Sequence, residues 1–353
     1  MSESDPYVLR DETVAEPPKS WWGRLRHCGP GLILSASIVG AGELITTTAL
    51  GAKVGFIALW IVILSCFAKV ALQLEFGRHT IQHGETCIAA LNRLPGATLA
   101  HTNWTIWIWI VLQPIKILQL GGILGGVAIV MNMAIPAISV VAWCWITAIV
   151  VAAMVSVQKY RFVEAMSLFF IFGFTVATVI CVASLQWTPY AIHTADVISG
   201  FRGQFPQGAL LFVFATFGLT GVGGDEIMHY SYWLLEKGYA ARTGPYHPGN
   251  DAWRSRAQQW MSVMYLDAIL SMVAYTTITA AFYLLGAAVL HDRGSVPEDY
   301  KLIDTLATMY TETIGPWGRM VLLIGASSSF FRRCLQPWQP GAECMSMCVV
   351  RWG

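Results

Sequence analysis

Two acidic, glycine-broken segments lie inside hydrophobic stretches of the chain: Val39-Gly40-Ala41-Gly42-Glu43-Leu44-Ile45 and Val222-Gly223-Gly224-Asp225-Glu226-Ile227-Met228. A carboxylate in a lipid-embedded helix costs about 2.5 kcal/mol or more, so it faces a cavity and takes a partner or an ion. Glycines beside it free the backbone from the helical ladder. Paired interruptions of this kind in two halves of a chain mark a transporter substrate site near the bilayer midplane. The pattern predicts a membrane protein that carries a solute.

Composition points the same way. Of 353 residues, 55% are hydrophobic and 12% charged, against about 25% charged in a soluble domain. A net charge of +1 and the absence of basic runs leave no nucleic-acid signature. The eight cysteines are scattered, with Cys66, Cys144 and Cys181 inside apolar stretches, and they form no zinc spacing or disulfide framework.

Residues 1–28 read as a polar cytoplasmic tail, disordered up to about residue 20 and with no apolar core of a cleaved signal peptide. Residues 29–326 read as a transmembrane domain. Apolar stretches of about 20 residues, enough to span, fall near 31–51, 56–77, 104–132, 137–157, 163–185, 208–234 and 261–290, and an eighth begins near Trp317. The tail and alternate loops carry Arg10, Lys19, Arg24, Arg26, Arg78, Arg93, Lys159, Arg161, Lys237, Arg242, Arg254 and Arg256; the other loops carry Lys53, Arg202, Arg293 and Lys301. That bias, twelve against four, predicts a cytoplasmic N-terminus. Residues 292–314 read as a short amphipathic external helix. Trp104, Trp107 and Trp109 suit an interfacial aromatic belt.

Residues 327–353 depart from the rest, because Ser327-Ser328-Ser329-Phe330-Phe331-Arg332-Arg333 abandons a span begun at Met320. A frame displaced by one base turns T-first codons into middle-T codons, which encode apolar residues. The segment is therefore expected to be a frame-displaced, prematurely ended tail; a genuine cytosolic-type tail is the alternative.

Gly29-Pro30-Gly31-Leu32, Ser35, the Gly40–Glu43 break, Gly51-Ala52, Gly55-Phe56, Leu59-Trp60, Gln73, Gly77-Arg78, Gly84-Glu85-Thr86 and Asp267 together resemble the natural resistance-associated macrophage protein (Nramp) family of divalent-metal transporters over roughly residues 29–326. The resemblance implies an all-α, polytopic, leucine-transporter-like helix bundle of inverted repeats with broken first and sixth spans, here with an incomplete second repeat. The family's Asp-Pro-Gly-Asn falls on Gly40-Ala41-Gly42-Glu43, and its Met-Pro-His-Asn falls on Gly223-Gly224-Asp225-Glu226. Loss of the methionine is similar to the divergent, Nramp-related magnesium-transporting branch. Gly40 in place of aspartate removes the residue of the family's usual proton route, so a coupling ion stays open.

The expected metal site comprises Glu43, Asp225 and Glu226 with carbonyls freed at Gly40 and Gly223. Oxygen donors of this kind suit Mg2+, Mn2+ or Ca2+. One of Asp225 and Glu226 is alternatively a cap of the half-helix N-terminus. The expected function is secondary transport of Mg2+ or Mn2+ by alternating access, with the divalent cation as substrate, the lipid bilayer as surroundings, no cofactor, no nucleic-acid partner and no enzymatic activity. A bacterial inner membrane is the expected location. Three alternatives compete: a sodium-coupled amino acid or amine transporter of the same fold, an inactive truncated copy, and an intramembrane metal-dependent hydrolase using His79, His83, Glu85 or His229. His229 otherwise serves as an outer partner of the site. Lys116 and Asp267 either pair or snorkel to the interface.

Overall fold

Apolar stretches longer than strands require fold as helices, because a helix satisfies its own backbone groups where no water is available. The structure, a computed structural model, describes residues 7–31, 35, 43–157, 161–294 and 302–335. Its helices are α1 (Trp21–His27), α2 (Thr48–Val54, entered through a π turn at Glu43–Thr47), α3 (Leu59–His83), α4 (Cys87–Asn92), α5 (Trp104–Ala134), α6 (Val140–Val157), α7 (Arg161–Ser184), α8 (Thr194–Gly200), α9 (Leu210–Leu219), α10 (Gly224–Glu236), α11 (Tyr239–Thr243), α12 (Asp251–Leu285, continued by a π turn at Gly286–Leu290), α13 (Leu302–Ile314) and α14 (Trp317–Leu335). Among the described residues, one small hairpin interrupts the helical pattern: β1 (Thr98–Leu99) pairs antiparallel with β2 (Thr102–Asn103). Ala100 and His101 turn it with φ of 50° and 62°, the positive values that a tight hairpin turn demands.

Among the described residues, four helical stretches are long and apolar enough to cross a membrane: Glu43–His83, Trp104–Ala134, Phe169–Trp187 and Asp251–Leu290. Val140–Met154 and Leu210–Leu219 are shorter apolar helices. These lengths suit a chain that crosses a bilayer several times. Backbone breaks explain most of the difference from the span assignment in sequence. Gly55, in the left-handed region at φ 66°, divides Glu43–His83 into the stretches assigned to the first and second spans. The sixth is cut at Thr220–Gly223, as a broken sixth span requires.

The chain forms two units. One comprises residues 1–35, 68–118 and 222–273. Its buried aromatic centre includes Trp260, Tyr230 and Tyr239. Against the expectation of a disordered tail, the segment around Thr13 and Ala15 is hydrogen-bonded to the rest of this unit. Thr13 Oγ1 donates to Ala241 O at 2.9 Å, Ala15 N to Arg242 O at 3.0 Å, and Trp260 Nε1 to Ala15 O at 3.0 Å. Backbone pairing anchors it, and composition carries no trace of that. Helix α12 begins ten residues before its apolar run because Asn250 Oδ1 caps the N–H groups of Ala252 and Trp253.

The other unit comprises residues 36–67, 119–221 and 274–353. Its core joins Leu44, Ala52, Phe174, Phe282, Leu285, Tyr310 and Leu322. Backbones approach closely where α2 meets the end of α12: a side chain on Gly51 would strike the Tyr283 carbonyl, and one on Gly286 the Thr48 carbonyl. Helix α13 buries Leu306, Met309 and Tyr310, which accounts for the amphipathic reading of that region; Pro297, Glu298 and Asp299 lie outside the described residues. Helix α14 runs on through the serine triplet that the sequence marks as a break. Ser328 Oγ bonds back to Ile324 O at 2.8 Å, and a serine satisfied in this way stays in a helix. Residues 336–353 lie outside the described residues, as do 1–6.

Candidate functional site

Glu43 is the first residue of the π turn that opens the second half of the first span. Its side chain is 2% exposed. Oε1 accepts a hydrogen bond from Gly221 N–H at 2.5 Å, and Thr47 Oγ1 donates to its carbonyl. Gly221 sits where α9 has ended and α10 has not begun, at φ 72°. A helix end leaves carbonyl and N–H groups without intrahelical partners, and here side chains supply them. Ser65 Oγ donates to Phe217 O at 2.7 Å and to Thr220 O at 3.3 Å, while Glu43 takes the Gly221 N–H. The broken sixth span is thus tied off by a hydroxyl and a carboxylate.

Gly223 is the N-cap of α10, with φ −73° and ψ 163°. Asp225 and Glu226 fall in the first turn of that helix, where negative charge is favoured by the free N–H groups and the dipole. Glu226 is 7% exposed and folds back onto Gly223: a side-chain carbon there would collide with Oε2 and stand 3.1 Å from Cδ. Glu226 thus lies over the N-cap residue of its own helix. The side chain of Asp225 and all of Gly40 lie outside the described residues.

His229 follows one turn later, its ring 6.1 Å from that of Trp233. His79 and His83 stack at 4.3 Å, and His83 stacks in turn on Tyr246 at 4.6 Å. Glu85 pairs with Arg93 at 2.5 Å and lies 3.7 Å from His79. These groups make an aromatic stack beside an ion pair, with no nucleophile in the set. Among the described residues, no group of three His, Cys, Asp or Glu side chains is arranged to hold a metal ion.

Asp267 does not snorkel. It is fully buried and accepts from the N–H groups of Gly29 at 3.0 Å and Gly31 at 2.6 Å, while Ser271 Oγ donates to Gly31 O at 2.6 Å. The pair clamps the opening residues of the first span to α12. Lys116 lies over the Trp109 ring at 5.9 Å.

Sequence reasoning missed Ser65, Cys66, Gly221 and Tyr275 around the break. Gly221 stands two residues before the glycine pair that drew attention. Its signal was the polar Thr220 and the glycine together at the end of an apolar run.

Comparison with known proteins agrees with this architecture. The chain is 24% identical over 333 residues to an uncharacterized protein of Pasteurella multocida, covering 92% of this chain and 71% of that one. It is 23% identical over 279 residues to the divalent metal cation transporter MntH of Bradyrhizobium diazoefficiens (78% and 57% covered), and 26% identical over 326 residues to the MntH of Xylella fastidiosa (86% and 62%). The chain thus spans 57% to 71% of the length of these relatives. Two crystal structures of a manganese transporter from Eremococcus coleocola, one of a mutant and one in complex with an aromatic bis-isothiourea compound, superpose with TM-scores of 0.62 and 0.61 at 15% identity. They cover 98% and 96% of this chain and 75% and 74% of those, which shows a shared leucine-transporter-like fold. The family model described as natural resistance-associated macrophage protein-like matches residues 31–331, and the chain belongs to that family.

Proposed function

We propose that the protein moves a hard divalent cation, Mn2+ or Mg2+, across a membrane by alternating access, and that Glu43 is its principal cation ligand. The observation that carries this reading is a buried carboxylate hydrogen-bonded to a backbone N–H inside the break of the sixth span. An arriving cation competes with that N–H for the same oxygen. Binding therefore exchanges one hydrogen bond for an ion contact and relieves the cost of a charge held out of water. Asp225, Glu226 and the carbonyls of Gly40 and Gly223 are the proposed further oxygen donors, which suit a hard ion.

Family membership and relatives named as divalent metal cation transporters support transport over hydrolysis. The charge bias of the loops supports a cytoplasmic N-terminus, and the bacterial relatives support a bacterial inner membrane. A reporter after Lys237 should then face the cytoplasm and one near Asp292 the outside.

The test is uptake of Mn2+ and Mg2+ into proteoliposomes. Glu43→Gln keeps the size and hydrogen-bonding capacity of the side chain and removes the charge, and it should lower uptake about 10-fold or more. Uptake of both ions unchanged by Glu43→Gln and by the Asp225→Asn, Glu226→Gln pair refutes the assignment.

A further inference from the structure

Gly221 is approached by more than the carboxylate of Glu43. A side-chain carbon placed on it would stand 3.3 Å from Cys66 Cα, 3.4 Å from Cys66 Sγ and 3.7 Å from Tyr275 Cε2. Its N–H is the one that Glu43 binds. A carboxylate, a thiol and a phenol therefore converge on one backbone break within a single unit. Cys66 and Tyr275 are both fully buried.

The Tyr275 hydroxyl belongs to a ring that borders Gly221. It has no hydrogen-bond partner among the described residues. Leaving a buried hydroxyl unsatisfied costs about 1–3 kcal/mol. Phenylalanine would fill the same space without that cost. An ion, or a water retained by an ion, satisfies the oxygen when the site is filled.

Resting on the cation-carrying reading of Glu43, we propose that Cys66 and Tyr275 are part of the same cation site: the Tyr275 oxygen binds the ion or its retained water, and the Cys66 sulfur adds one soft donor that widens the preference from hard Mg2+ and Mn2+ toward Cd2+. Thiolate is the soft ligand, so sulfur ligation forms a metal–sulfur bond and releases the thiol proton to solvent. The sulfur comes from the second span. Position 223, where the family's motif would place its thioether, is glycine.

The experiment is calorimetric titration of the full chain in detergent with Mg2+ and, separately, Cd2+, for the wild type, Cys66→Ser, Tyr275→Phe and Glu43→Gln. Cd2+ bound by the other cysteines is common to these proteins and cancels in the differences. Cys66→Ser should weaken Cd2+ binding about 10-fold or more and leave Mg2+ binding unchanged. Tyr275→Phe should weaken both ions while raising the melting temperature of the ion-free protein. If Glu43→Gln weakens both ions and Cys66→Ser and Tyr275→Phe weaken neither, this inference is overturned and the function of Glu43 stands. If Glu43→Gln changes neither affinity, the reading of Glu43 itself fails, and the inference with it.

Discussion

Glu43 sends its carboxylate out of its own helix to a backbone N–H at the break of another, whereas Glu226 folds back onto the first turn of the helix that carries it, occupying the space over Gly223. The two segments are alike in sequence, each an acid beside glycine in an apolar run. Their positions separate them. Glu226 is the third residue after an N-cap, where a carboxylate is drawn to its own helix end. Glu43 opens a π turn and has a distant partner. In this chain one such acid bonds to a backbone break in another segment, and the other lies over the glycine at the start of its own helix.

Replacing the glycine that each acid touches separates these roles. Gly221→Ala forces a Cβ into the left-handed region and against Cys66, at a cost of about 2 to 4 kcal/mol. A large drop in melting temperature in detergent should follow, and an unchanged melting temperature would mean that the bridge adjusts freely. Asp267→Asn asks whether another bridging acid behaves like Glu43. With two N–H groups bound to its carboxylate, loss of the charge should cost about 1.5 to 3 kcal/mol, and limited proteolysis between Cys28 and Gly31 should accelerate. Gly223→Ala should have the smallest effect, about 1 to 2 kcal/mol, because its φ of −73° suits any residue and only the Glu226 carboxylate must move. Combining it with Glu226→Ala should remove most of that cost. Additive losses would show that the carboxylate was not the obstacle.

Much of the fold was legible because helical spans announce themselves by length and apolarity. Leu59–His83, Trp104–Ala134 and the interrupted sixth span fall where the sequence places them. Boundaries set by hydrogen bonds were not legible. Asn250 extends α12 into a polar stretch, backbone pairing holds the N-terminal segment, and α14 continues through a run that reads as a stop, with Ser328 bonded back to Ile324. At the site, the burial of Glu43 and Glu226 follows from acids in apolar surroundings. The convergence of Cys66, Gly221 and Tyr275 does not, since these residues are far apart in sequence and the thiol and phenol sit in apolar runs where core packing is their ordinary role.

Manganese is paramagnetic, and its free concentration can be read directly by electron paramagnetic resonance during titration of the full chain. If Glu43 is the principal ligand and Glu226, folded over its own helix start, is a lesser one, Glu43→Gln should weaken Mn2+ binding about 10-fold or more, and Glu226→Gln should weaken it far less. Equal losses in the two variants, or a larger loss in Glu226→Gln, would contradict the division of roles drawn from the two breaks.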